Sequence, residues 1–373
     1  MSGPSRILVV NAGSSSLKLR ILDAADQVVA RWDLPVVAGT VDRPALARTL
    51  AGVAPPDAIG HRIVHGGRRY QGPVRLDQAV RRNLSALVDL APLHQPKSLD
   101  ALQAVGDVYP EVPAVACFDT AFHAGMPPAA TTYALPREWR ERWELRRYGF
   151  HGLSHAYATR RAGELLARSP ATFRAVTCHL GAGASLAAVV AGRSVDTTMG
   201  FTPLEGLVMA TRSGNVDPGL LLWLQEHVGM PAQELAATLE NRSGLLGLAG
   251  TSDMAMILGR AEAGDETAGL ALAIYIHRLR AGIAAMAAAM GGLDVLVFTG
   301  GVGEHAPVVR AGACSGLEFL GIELDPTANA DAAGRPDREI GASPALVKAL
   351  VIEAREDLQV AREVRKVLEA SEG

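Results

Sequence analysis

Ile7-Leu8-Val9-Val10-Asn11-Ala12-Gly13-Ser14-Ser15-Ser16-Leu17-Lys18 decides the fold, because its design returns at Ala175-Val176-Thr177-Cys178-His179-Leu180-Gly181-Ala182-Gly183-Ala184-Ser185. Each copy opens on an apolar run that reads as a buried strand. Each then passes through a turn of small residues into a second strand, Leu17 to Leu22 in one and Leu186 to Val190 in the other. Two strand–turn–strand units so far apart point to a duplicated fold whose halves open on the same hairpin. Around them, helical patterns at 78–90, 98–108, 218–227, 266–290 and 356–368 alternate with apolar strands at 114–118, 294–298 and 346–352. Such alternation is the pattern of an α/β fold. No low-complexity linker marks a junction, so the duplication sets it near residue 122. The expected division is an N-terminal domain, 1–122, completed by a C-terminal helix, 355–373, and a second domain, 123–354.

Bulk properties agree with two domains. The chain has 373 residues, 49% of them hydrophobic, enough for sizeable cores. Its formal net charge of -3 gives no general pull toward nucleic acid or an anionic membrane, so an anion has to be recognised by local charges. Cys117, Cys178 and Cys314 are odd in number, far apart and set among apolar residues, which reads as reduced buried thiols rather than a disulfide or zinc framework. The apolar run at 7–10 is too brief for a signal peptide. The longest apolar stretch, 268–290, is interrupted by His277, Arg278 and Arg280 and suits a buried Ala-rich helix better than a membrane span. A soluble cytoplasmic protein is expected.

Three Gly-rich turns, each after an apolar strand, are the first site candidates: Asn11 to Lys18, Gly181 to Ser185, and Thr299-Gly300-Gly301-Val302-Gly303-Glu304-His305. Small residues let backbone N–H groups approach a phosphate, and α/β folds bind nucleotides at the C-terminal ends of strands. Ser14, Ser16 and Lys18 alternate and therefore share one strand face, although an ordinary hairpin with a solvated Lys has the same pattern. The spacing is not that of a Walker loop. Arg62 stands among apolar neighbours between His61 and His65, and a guanidinium fork grips a carboxylate or phosphate. It could equally pair with Asp119, which follows the buried strand ending at Phe118 and could be that partner or a metal ligand. His151 and His155 share a helix face if a helix starts there. Zinc, a satisfied core pair and a phosphate-facing role are the competing readings, and no third zinc ligand is evident. Arg212, among Met and Leu in the turn-rich stretch 196–219, is a candidate to neutralise charge on a transferring phosphoryl group.

These segments, with Ala91-Pro92-Leu93-His94 and Gly149 to His155 and in this order along nearly the whole chain, resemble the acetate kinase family. That family lies in the superfamily of acetate and sugar kinases, heat-shock chaperones and actin. The resemblance implies a duplicated two-domain actin-like ATPase fold with a ribonuclease H-like core in each half, the second half binding nucleotide. It implies Mg²⁺ (or Mn²⁺) held with Asn11 and Glu356, and phosphate contacts from Lys18, Ser14 and Ser16. Arg62 would grip the carboxylate of acetate, with Val64, Leu93, Phe150 and Pro203 around its methyl group. His151 and Arg212 would stabilise the transition state, with His94 and His155 nearby. The stretches His179-Leu180-Gly181-Ala182-Gly183, Asp253-Met254-Ala255 and Gly301-Val302-Gly303-Glu304-His305 would hold ATP or ADP. A homodimer and a hinge closure are also implied. Asp119 is the family's acid/base, yet a carboxylate substrate with a pKa of ~4.3 is already ionised at pH 7 and needs no base. Positioning Mg²⁺ or arginines is the role chemistry assigns to it.

The expected reaction is Mg-dependent phosphoryl transfer between ATP and acetate, giving acetyl phosphate and ADP. Two anions must meet, so cations and in-line positioning do the work. The departures from the family pattern lie on the nucleotide side. The usual Gly-Asn-Gly-Ser is Gly181-Ala182-Gly183-Ala184, an Arg expected in the Ser252-Asp253-Met254-Ala255 region is absent, and Gly-Glu-Asn is Gly303-Glu304-His305. Each lost hydrogen bond to a charged group is worth about 1.5–3 kcal/mol, so weaker ATP binding or another donor such as pyrophosphate is an alternative. Propionate is the alternative acceptor, since one methylene discriminates by only about 1–3 kcal/mol. A degenerate nucleotide-binding regulator is the alternative of a different class, and intact Arg62, His151 and Arg212 speak against it.

Overall fold

The computed structural model of the chain describes residues 4–13, 16–37, 40–88, 95–331 and 335–372. Ser14, Leu93 and His94, three of the expected site residues, lie outside the described residues. The chain divides into two compact units. One comprises Met1–Ala124, Phe150–Tyr157 and Arg355–Gly373, and the other Gly125–Gly149 and Ala158–Ala354.

The first unit is built on β1 (Ile7–Ala12), β2 (Ser16–Leu22), β3 (Val28–Val37), β4 (Thr40–Val41), β5 (Ala58–Ile63), β6 (Val74–Arg75) and β7 (Ala114–Phe118), in the sheet order β4-β3-β2-β1-β5-β7-β6. The second is built on β8 (Arg174–Leu180), β9 (Ala184–Val190), β10 (Arg193–Thr197), β11 (Val295–Thr299), β12 (Arg338–Glu339) and β13 (Lys348–Val351), in the order β10-β9-β8-β11-β13-β12. Without the short β4, the two orders are the same. In each sheet two antiparallel pairings lead into two parallel ones, and an antiparallel edge strand closes the far side. The duplicated α/β fold read from the two hairpins is therefore carried by whole sheets.

Alternation of apolar residues sets each hairpin. In β2, Leu17 and Leu19 are buried while Lys18 is exposed, and Lys18 pairs in register with Asn11 across the hairpin. The parallel strands β1, β5 and β7 are buried almost throughout, as strands covered on both faces must be. The C-terminal helix Glu356–Glu372 covers one face of this first sheet, placing Val360, Ala361, Val364 and Leu368 against Ile7, Val9, Val115 and Cys117. An added Cβ at Gly60 would run into the side chains of Val360 and Val364, so a glycine there lets the helix lie close. All three cysteines are buried and free.

Several element ends differ from the sequence reading. The helix expected at 78–90 is described as Gln78–Ser85, and Leu87 beyond it folds back over Gly67, whose φ of +62° admits the turn. The helix expected from 98 begins at Gln95, a buried side chain that exchanges hydrogen bonds with both backbone groups of His65 (3.2 Å each). The last strand is shorter, Lys348–Val351, and Leu346 is exposed. The Gly-rich segment after β11 is helical, Gly300–His305, because Gly300 takes φ +78° and turns the chain directly off the strand. Glu266–Ala289 is long and apolar enough to cross a membrane, the one such helix among the described residues. It buries Ala268, Ala271, Tyr275, Leu279, Ile283 and Met286, the spacing of a helix packed by one face into a protein core.

Candidate active site

In the first unit the C-terminal ends of β1, β5 and β7 carry Asn11, Arg62 and Asp119, the position at which open α/β sheets present their ligands. Arg62 donates to both oxygens of Asp119, Nε to Oδ1 at 3.0 Å and Nη2 to Oδ2 at 2.6 Å, and from Nη1 to Oδ1 of Asn11 at 3.0 Å. Asn11 Nδ2 donates to Glu356 Oε2 at 3.1 Å, and that oxygen is 3.7 Å from Arg62 Nε. Three of the five guanidinium N–H groups are used, so two remain, among the described residues, for an incoming anion. Asp119 is buried, and Arg62 and Glu356 keep 16% and 17% of their side chains exposed, so the charge faces solvent only where a ligand can reach it.

Burial works against the charge of Arg62, but Asp119 and Glu356 outweigh it and hold the guanidinium protonated. Burial raises the pKa of Asp119, the Arg62 charge and hydrogen bonds pull it back, and Glu356 raises it further. Two carboxylates around one guanidinium leave the cluster with one surplus negative charge when all are ionised. That surplus and the oxygen donors of Asn11 and Glu356 suit a small hard cation. Mg²⁺ needs only one or two protein oxygens when substrate phosphates supply others. No cluster of three His, Cys, Asp or Glu that could hold a metal occurs among the described residues.

Asp119 also works through its backbone. Its carbonyl accepts the Gly152 N–H at 2.8 Å, and an added Cβ on Gly152 would collide with that same oxygen. His151, the residue before it, sits at φ +57°, a left-handed conformation that costs a non-glycine residue of order 1 kcal/mol or more. Such strain persists only where surrounding structure imposes it, and here it aims a half-buried imidazole from the start of the helix Gly152–Leu165. Phe150 is buried with its ring 5.5 Å from that of His65, and Val64 is buried. His155 is fully buried, edge-on to His123 at 5.6 Å, and His123 Nε2 lies 3.0 Å from the Phe150 carbonyl oxygen. Burial drives the pKa of His61 to about 3, and of His65 and His123 to about 4, so all three are neutral at pH 7. Ser16 and Lys18 share the outward face of β2.

In the second unit a cavity of about 390 Å³ gathers residues from all three expected nucleotide stretches: Gly181 and Ala182, Ser252 to Ala255, and Gly301, Val302 and His305. Tyr275, Leu245 and Leu258 make its wall apolar. Leu180, Gly183, Gly303 and Glu304 are not among its lining residues. Leu180 is a buried core side chain whose backbone lies against Gly300, and Glu304 accepts the Ala354 N–H at 3.0 Å. Burial raises the Glu304 carboxyl, with that bond pulling the other way. Asp253 caps the helix Met254–Glu262 by accepting from Ala255 N–H at 2.8 Å, so its carboxylate is engaged in the backbone. His179 is half-buried at the end of β8. Ala182, Ala255 and His305, three of the residues that depart from the family pattern, line this cavity, whereas Ala184, the fourth, is buried in β9.

Arg212 belongs to this second unit, in a segment without helix or strand. Its Nη1 donates to the Pro203 carbonyl at 3.1 Å and lies 3.7 Å from Met209 Sδ, so two expected site residues are tied together. Gly206 and Asn215 close the neck of the loop with reciprocal bonds of 2.8 and 3.0 Å. Tyr133, Arg147 and Glu205, which hold the segment before Arg212, went unread in the sequence. Their partners are 58 to 72 residues apart, and no local pattern signals such a pairing.

Known proteins give a consistent answer. The family model described as Acetokinase family matches residues 34–362. An acetate kinase of Leifsonia xyli subsp. xyli is 43% identical over 98% of this chain and 100% of its own length. The crystal structure of Porphyromonas gingivalis acetate kinase is 35% identical, covers 98% of this chain and 100% of that one, and superposes with a TM-score of 0.90. A propionate kinase structure from Francisella tularensis subsp. tularensis is 34% identical, covers 96% and 98%, and has a TM-score of 0.89.

Proposed function

The chain belongs to the acetokinase family, and from that premise we infer that it transfers a phosphoryl group between ATP and acetate, giving acetyl phosphate and ADP. The observation that carries the assignment of residues is Arg62, a guanidinium with two N–H groups to spare at the end of a buried strand. Those two donors match the two oxygens of a carboxylate. Asp119, braced between Arg62 and Gly152, acts as the orienting anion rather than as a base. His151 donates to the transferring phosphoryl group, and Arg212 offsets the charge that builds on its oxygens. Val64, Phe150 and Pro203 bound the methyl group, and Leu93 is assigned there from the sequence alone.

The purine of the nucleotide fits the apolar cavity of the second unit, with Gly181, Ala182 and Gly301 admitting it closely. Phosphates fall to Ser16 and Lys18 and, from sequence alone, Ser14, with His155 and His179 in supporting roles. Asn11 and Glu356 would hold Mg²⁺, which when bound screens the nucleotide's phosphates. The close structural similarity of a propionate kinase leaves propionate as the acceptor to test beside acetate. The test is trapping of acyl phosphate as hydroxamate, with acetate, propionate and butyrate as acceptors and ATP as donor. Product with acetate is expected, and its absence in the presence of Mg²⁺ would remove the assignment.

A cytoplasmic homodimer completes the proposal. Its support is the helix Pro218–His227, which has no buried residue and leaves Leu220, Leu222 and Trp223 about half exposed. A helix with such an exposed apolar face fits burial against a second copy. Light scattering should give twice the chain mass, falling to one with Leu222→Glu; a monomeric parent protein would end this part of the proposal.

A further inference from the structure

Glu205 lies on no strand or helix, yet its carboxylate is bonded from two sides. Tyr133 O–H donates to Oε2 at 2.6 Å and Arg147 Nη2 donates to Oε1 at 2.5 Å. Both partners then grip the backbone next to it. The Tyr133 hydroxyl accepts the Phe201 N–H at 2.9 Å, and Arg147 Nη1 donates to the carbonyls of Thr197, Thr198 and Met199 at 3.0 to 3.3 Å. Between them, the Gly200 carbonyl accepts the N–H groups of Tyr148 and Gly149 at 3.0 and 3.3 Å. A Cβ at Gly200 would fall on the Glu205 carboxylate and the Tyr133 hydroxyl and so displace them.

This network fixes both chain segments that lead to proposed transfer groups. Gly149 stands two residues before His151. Pro203, inside the clamped stretch 197–205, accepts from the Arg212 guanidinium. We propose that Glu205, clamped by Tyr133 and Arg147, is a positioning residue for phosphoryl transfer: it sets the Pro203 carbonyl and through it the direction of the Arg212 guanidinium. The proposal rests on the role of Arg212 given above. Loss of one hydrogen bond to a charged group leaves the loop attached by its other bonds, so a placement error rather than unfolding is the expected result.

The experiment is steady-state kinetics on Glu205→Gln, Tyr133→Phe, Arg212→Ala and the double variant Glu205→Gln/Arg212→Ala. Glu205→Gln should lower kcat by about 10- to 100-fold with the ATP KM within about twofold. Tyr133→Phe should show a smaller loss of the same kind. In the Arg212→Ala background the Glu205→Gln step should cost less than about threefold, because a residue acting through Arg212 has nothing left to position. Gly200→Ala, which pushes on the same carboxylate from the backbone, should reproduce the Glu205→Gln profile. Full kcat in both Glu205→Gln and Tyr133→Phe, beside a slow Arg212→Ala, overturns the positioning role alone. An undiminished extra loss on top of Arg212→Ala does the same. Normal turnover in Arg212→Ala itself removes the role of Arg212 and this proposal with it.

Discussion

The two sheets share one strand order, yet the ends of equivalent strands have taken opposite chemistry. After β1, β5 and β7 the first unit places Asn11, Arg62 and Asp119, a charged cluster in which almost every polar atom has a protein partner. After β8 and β11 the second places Gly181, Ala182 and Gly301, which offer backbone and space. A duplicated scaffold thus supplies the same geometric opportunity twice. In the proposed assignment side chains use it once to grip a small anion and once to admit a purine ring. The difference also divides the energetics, since a buried ion cluster depends on every member and a cavity of small residues tolerates change.

The sharpest way to break this contrast is to remove one anion of the cluster. Among the described residues, Asp119→Ala leaves the Arg62 guanidinium with only Glu356, 3.7 Å away, for a carboxylate. Breaking a buried pair in this way should cost about 3–5 kcal/mol, read by urea unfolding, while the backbone carbonyl that holds Gly152 stays in place. Truncation of the half-buried Leu258 to Ala in the second unit's cavity should cost less and leave acetate KM unchanged; equal effects on both would erase the distinction.

Acid should also separate the units. His61, His65 and His123 all belong to the first unit and have folded pKa values of about 3, 4 and 4, below an unfolded value of 6.5. As pH falls below 6.5 the unfolded chain takes up protons that the folded chain refuses. Stability is therefore complete above pH 6.5 and lost progressively down to about 4, on the order of 3 kcal/mol for each of His65 and His123. Hydrogen exchange at pH 7 and pH 5 should show protection falling first in β5 and β7, and uniform loss across both sheets would contradict the assignment.

The smallest effect is expected at the cavity proposed for the nucleotide. Ala182 is exposed on its lining, with its carbonyl accepting the Ala210 N–H at 3.0 Å, so a longer side chain has room. Ala182→Asn restores an amide and should lower the ATP KM by about 2- to 10-fold, the worth of one added hydrogen bond. An unchanged or raised KM would mean the amide does not reach the nucleotide. Ala184, by contrast, is fully buried in β9, where a serine hydroxyl would need its own partner.

What could be read from the sequence follows the same division. Hairpins and parallel strands announce themselves by local apolar patterns, so the two hairpins and the α/β class were legible. Arg62 and Asp119 were visible as charges beside buried strands, and their mutual pairing was one of two readings the residues allowed. Less legible was anything made by long-range side-chain bonds. Gln95 on the His65 backbone, Glu304 on Ala354 and the Tyr133–Glu205–Arg147 clamp join residues 30 to 72 apart in sequence. The helix at Gly300 was missed for a different reason: consecutive glycines read as a turn, and only the positive φ of Gly300 lets a helix begin there.

Substitution of Arg62 by lysine tests the central division of labour most directly, because it keeps the positive charge and removes the planar fork. Steady-state kinetics with acetate and ATP varied in turn should give an acetate KM raised about tenfold or more, with the ATP KM within about twofold. An unchanged acetate KM, or an ATP KM raised as far as that of acetate, would contradict the assignment of the carboxylate to the cluster of the first unit.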